Sequence, residues 1–133
     1  MEKEFVPYEL TVKLKQLGFD EPCFAWYVSK SYGLEIGKVV KSDLIKDAIV
    51  APTFSQAFRW FREEHDLFGC IDLQVCTPPH WFVRIDEISK NDYIFHSEDE
   101  KYKFSTYEGA ELACLGKLIG IVGLINNPYN LYI

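Results

Sequence analysis

The chain has 133 residues, 48% of them hydrophobic and 16% aromatic, with a formal net charge of −6. This richness excludes a disordered segment, which needs low hydrophobicity and high charge, and the length suits one domain that buries a core without covalent staples. The negative balance disfavours nucleic acid as a default partner, because phosphate contacts draw on lysine and arginine.

In chain order, Pro7 to Leu17 predicts a helix, since Leu10, Leu14 and Leu17 recur at helical spacing, Pro7 suits a first turn and Gly18 a stop. Phe19-Asp20-Glu21-Pro22 is a turn. The aromatic-rich Cys23 to Val28 predicts a strand, and Ser29 to Lys46 a loop or irregular hairpin. Asp47 to Ala51 is a short strand feeding a helix start, where Thr53 as N-cap and Gln56 three residues later make a capping box. That helix runs to about His65, with Phe54, Ala57, Phe58, Phe61 and His65 on one face.

Gly69 to Pro79 reads as a connector and His80 to Ile88 as a strand. Tyr93 to His96 and Tyr102 to Phe104 flank the acidic turn Glu98-Asp99-Glu100, which predicts a hairpin. Ser105 or Thr106 caps a last helix from about Tyr107 to Ile125, with Tyr107, Cys114, Leu115, Leu118, Ile121, Val122 and Ile125 as its core side. The expected fold is α+β, an antiparallel sheet of about four strands with three helices packed mainly on one face, in the order α-β-β-α-β-β-α. Thr53-Phe54-x-x-Ala57 echoes Thr106-Tyr107-x-x-Ala110, which two similar caps arising independently explain.

The last helix is the unusual element. Gly109, Ala113, Gly116, Gly120 and Gly123 form one stripe, although each helical glycine costs about 1 kcal/mol relative to alanine. Such a stripe is either a close-packing surface, most simply in a homodimer, or a tolerated solvent face. Its apolar run from Leu112 to Ile125 contains Lys117 and falls short of the roughly 20 residues a bilayer span needs, so no membrane association is expected. Cys23, Cys70, Cys76 and Cys114 do not have the spacing of a disulfide framework, and no leader-like segment precedes them, which points to a reduced, cytoplasmic setting.

Candidate chemistry is sparse. Cys70-x5-Cys76-x3-His80 offers three metal-ligand types, with His65 or His96 as a fourth, but structural zinc sites pair their ligands more tightly. Neither a metal nor a cofactor is expected. Cys23 with His80 or His96 is the only arrangement for a small cysteine-dependent enzyme, against a structural role for Cys23. Cys114 belongs to the core, and His65 reads as a core histidine with its hydrogen bonds satisfied. Trp60 lies off the phenylalanine face with Arg59 and Arg62 on the opposite flank. Aromatic and arginine residues mark protein interfaces, although Trp60 packed under the following loop is the alternative.

The stretches from Glu4-Phe5-Val6-Pro7-Tyr8 through Leu17-Gly18-Phe19-Asp20-Glu21-Pro22-Cys23, from Ala51 to Arg62, and Thr106-Tyr107-Glu108-x-Ala110-Glu111-Leu112-Ala113-Cys114-Leu115 resemble a family of short, uncharacterised proteins. That family is carried by phages and integrated mobile elements of gut bacteria. The resemblance implies a genetic setting and no activity or site. Gly109, Gly116 and Gly120 stand where that family's pattern has charged residues, which implies an outward-facing stripe.

The expected function is therefore a mobile-element or phage accessory protein, a non-catalytic module binding a host or phage protein. Trp60, Arg59, Arg62, Gly109, Ala113, Gly116 and Gly120 are its candidate surface. The alternatives are the cysteine-dependent enzyme and a nucleic-acid-binding accessory protein using Arg59, Arg62, Lys13 and Lys15.

Overall fold

The computed structural model describes residues 2–40, 48–97 and 103–126. The chain divides into two compact units, Met1–Ala57 and Phe58–Ile133, the boundary falling inside a continuous helix. The architecture is α+β with two three-stranded antiparallel sheets in place of the single sheet of about four strands expected from the sequence. Two strands account for the difference. One lies in the segment read as a loop or irregular hairpin, the other in the segment read as a connector.

In the first unit a short 3-10 turn, Glu2–Glu4, precedes helix α1, Tyr8–Gln16. Gly18 ends α1 with a φ of +100°, a left-handed conformation that glycine adopts without strain. The Phe19 N–H then reaches back to the Leu14 carbonyl at 3.0 Å. Strands β1 (Cys23–Tyr27), β2 (Leu34–Val40) and β3 (Ile49–Ala51) form a sheet in the order β2-β1-β3. Phe5, Ala25 and Ala51 form a buried cluster, with Tyr27 and Leu34 packed on it. The Tyr27 hydroxyl donates to the Val6 carbonyl at 3.2 Å, so its polar end is satisfied where the ring is half-buried.

Helix α2, Phe54–His65, starts where the capping pattern placed it: the Gln56 N–H donates to Thr53 Oγ1 at 3.1 Å. The other half of the expected box is diverted. The Gln56 side-chain amide donates to Glu21 Oε1 and to the Pro22 carbonyl, tying the helix start to the turn before β1.

In the second unit, strands β4 (Leu67–Gln74), β5 (His80–Glu87) and β6 (Asp92–His96) form a meander in the order β4-β5-β6. Asp66, at a φ of +60°, links α2 to β4, and its carboxylate accepts from the N–H and hydroxyl of Ser89 in the β5–β6 turn. The Tyr93–His96 segment pairs with β5, and Phe104 bridges Trp81. These pairings replace the expected hairpin between the two segments. Its acidic turn, Glu98-Asp99-Glu100, and Tyr102 lie outside the described residues, as does Asp47. The two units also differ in strand order, so the short echo between the two helix starts does not extend to their sheets.

Helix α3, Tyr107–Asn126, packs across β4 and β5. Its buried residues are Ala110, Cys114, Leu115, Leu118, Ile119 and Val122, whereas Tyr107 and Ile125 are exposed and Ile121 is half-buried. The buried face is thus turned from the expected one, with Ile119 inside in place of Ile121. Gly69 fixes the rotation. A methyl group at Gly69 would stand 2.8 Å from Cys114 Sγ, 2.9 Å from Phe58 Cε1 and 3.0 Å from Leu118 Cδ1. The bare backbone of β4 is what allows α2 and α3 to seat on the sheet this closely.

Candidate functional site

Alternation along the strands divides the second sheet into two faces. Gly69, Ile71 and Leu73 pair with Ile85, Val83 and Trp81, and Gly69 sits beneath α3. Phe68, Cys70 and Asp72 pair with Asp86, Arg84 and Phe82 and point away from α3. Tyr93 and His96 join this second face through their pairing with Asp86 and Arg84.

Arg84 is the centre of this face. Its Nη1 donates to Asp72 Oδ2 at 3.1 Å and its Nε to Asp86 Oδ2 at 3.3 Å. Burial works against the guanidinium charge, but the two carboxylates more than offset it and hold Arg84 above its ordinary pKa. The Cys70 thiol donates to Asp72 Oδ1 at 3.4 Å, and burial followed by that bond raises its pKa. The group sets one guanidinium between two carboxylates beside a thiol that stays protonated, which suits binding better than nucleophilic attack.

A groove of about 470 Å³ opens beside Arg84, with Phe68, Asp86, Ile88 and Tyr93 among its lining residues. Tyr93 is 55% exposed, Ile88 47% and Phe68 36%, so aromatic and aliphatic surface stands in water around the arginine. This is an interaction-type surface of the second unit, and Phe68, Ile88 and Tyr93 were not singled out from the sequence. Reading Gly69 to Pro79 as a connector hid β4, and without β4 the pairing that assembles the face is not visible. The alternation Leu67, Gly69, Ile71, Leu73 was the available signal.

The residues singled out from sequence fall in several places. Trp60 is 5% exposed, its ring edge-on to Phe61 and to His65, so it belongs to the core and not to a contact surface. Arg59 is exposed and Arg62 half-buried. His65 is not satisfied as expected: its Nε2 is buried without a partner, and burial lowers its pKa against a smaller opposing effect of Glu64. On α3, a methyl group at Gly116, Gly120 or Gly123 would meet nothing within 4 Å, whereas at Gly109 it would lie 3.0 Å from Thr106 Oγ1, the N-cap oxygen. Ala113 and Gly116 line a second groove, of about 540 Å³, with Val83, Phe95 and Lys117. Lys117 Nζ sits 4.5 Å above the Phe95 ring there.

Cys23 is buried, and its thiol donates to the Glu21 carbonyl at 3.4 Å. Burial, and then the Glu21 charge, push it up to about 12, which leaves it protonated at neutral pH. Cys114 is likewise pushed up to about 12, chiefly by burial. Cys70 lies on β4, Cys76 is exposed in the turn that follows and His80 begins β5. Among the described residues, no group of three or more His, Cys, Asp or Glu side chains is placed to hold a metal ion, and no helix is long and apolar enough to cross a membrane. No protein-family model, curated protein or solved structure matches the chain.

Proposed function

We propose that the protein is a non-catalytic protein-binding module, and that its docking face is the side of the second sheet turned away from α3. The observation that carries this reading is the exposed set Phe68, Ile88 and Tyr93 around a groove whose inner wall includes Arg84. Aromatic residues and arginine are enriched in protein interfaces, and the aromatic ones supply contact area at low entropic cost. Arg84 is already oriented by Asp72 and Asp86, so little of its side-chain freedom is left to lose on binding. The setting, a phage or mobile-element accessory protein acting on a host or phage protein, rests on the sequence resemblance alone.

The test is affinity capture from a bacterial host lysate with quantitative mass spectrometry, comparing the natural chain with a Phe68→Ser/Tyr93→Ser variant. Both positions are exposed, so the variant keeps its core. A protein recovered by the natural chain and lost with the variant supports the reading. Recovery of the same set by both, or of no specific protein by the natural chain, overturns it.

A further inference from the structure

The four edge strands of the two sheets are not protected alike. The ladder between β2 and β1 is interrupted at Cys23–Ala25, and β2 exposes Glu35. Strand β3 is only 3 residues long. Strand β6 has an irregular register opposite Ile85–Asp86 and begins at the exposed Asp92. Interruptions, charges and shortness are the usual means of keeping a foreign strand off a sheet edge. Strand β4 is neither interrupted nor short. Its 8 residues run in unbroken register from Leu67↔Glu87 to Gln74↔His80, with no proline, lysine or arginine. Its one carboxylate, Asp72, is held by Arg84 of the neighbouring strand. Next to its end, Leu73 is 47% exposed, and Val75 beyond it is 87% exposed. Among the described residues β4 pairs on one side only, with β5.

We propose that this free edge pairs antiparallel with β4 of a second copy of the chain, about a two-fold axis normal to the sheet. Self-pairing suits this strand chemically. Two-fold symmetry makes residue i meet residue j and j meet i, and the shared face requires partners of equal parity. A register centred on Ile71 then sets Cys70 against the partner's Asp72, Gly69 against the partner's Leu73 and Phe68 against the partner's Gln74. No like charges are opposed, whereas directly facing carboxylates destabilise a strand pair. The product is a continuous sheet in the order β6-β5-β4-β4-β5-β6. Both copies of the face bearing Phe68 and Tyr93 lie on the same side of it, which doubles the surface offered to a partner. The inference rests on the strand edge and holds whether or not the docking reading does.

The experiment is sedimentation equilibrium across a wide range of concentrations, on the natural chain and on a Leu73→Lys/Gln74→Lys variant that places cations along the edge. A natural chain that doubles its mass as concentration rises, with a variant of unchanged far-UV spectrum that stays at single mass, is the expected result. Hydrogen exchange on the natural chain is the second readout: amides of β4 should slow with rising concentration while those of β6 do not, which decides the matter even if the variant fails to fold. A natural chain monomeric at every concentration, a folded variant that still dimerises, or slowed exchange confined to segments other than β4 would each overturn the proposal.

Discussion

Replacing Gly69 with alanine is the sharpest perturbation of the second unit. The added methyl group would lie 2.8 Å from Cys114 Sγ, 2.9 Å from Phe58 Cε1 and 3.0 Å from Leu118 Cδ1. All three atoms belong to buried side chains, so none can swing into solvent to make room. Overpacking of this kind costs about 1–3 kcal/mol. Three such contacts at once put the overpacking in the upper half of that range, and removing a glycine from a strand returns about 0.5–1 kcal/mol of backbone entropy, so the net destabilisation is about 1–2.5 kcal/mol. With a urea slope of about 2 kcal/mol per molar, the unfolding midpoint should fall by about 0.5–1.2 M with the slope unchanged. Adding Cys114→Ala removes the nearest clash, so the double variant should be more stable than the two single effects summed, by a coupling of at least about 0.5 kcal/mol. A Gly69→Ala midpoint at or above that of the natural chain would refute the packing of α2 and α3 on β4 described above.

Three further outcomes follow from the same geometry. Gly116→Ala and Gly120→Ala enter open space and should each stabilise thermal unfolding by about 0.5–1 kcal/mol; a lowered melting temperature would show that the stripe is covered. In the folded protein iodoacetamide should label the exposed Cys76 first, leaving the buried Cys23 and Cys114 untouched until denaturant is added; early labelling of Cys23 would revive it as a nucleophile. His65 is held below its ordinary value of 6.5 by burial, so the unfolded chain takes up a proton that the folded state refuses. Its stabilising contribution is therefore full above 6.5 and is lost as pH falls through the depressed folded value. The difference in stability between the natural chain and His65→Phe should change across that window and be flat above it; a difference that is flat across the whole window, or that changes in the opposite sense, would contradict the assignment.

What could be read from the sequence was mostly what is decided locally. Thr53 and Thr106 cap their helices through N–H groups three residues on, Gly18 stops α1, and Phe58, Phe61, Leu115 and Leu118 are buried. What could not be read depends on contacts distant in sequence. The place of Gly69 in a strand shows only once Cys114 and Leu118 are seen above it, some 45 residues later, and reading Gly69 to Pro79 as a connector removed β4 and the whole open face. The rotation of α3 was ambiguous because apolar residues surround that helix, and the sheet beneath it chooses among them. Ile119 rather than Ile121 faces inward for that reason. The glycines of α3 drew attention by their number, yet the glycine on which the packing depends is the single one in the strand.

The claim that the open face of the second sheet receives a partner is tested most directly by photo-crosslinking in bacterial cells. A benzophenone amino acid would be placed at Tyr93, on that face, and in a separate chain at Gly120, on the exposed side of α3. Irradiation should give a discrete higher-mass adduct of one protein from position 93 and none from position 120. An adduct from position 120 with none from position 93 would contradict the account and move the interaction surface to the glycine stripe.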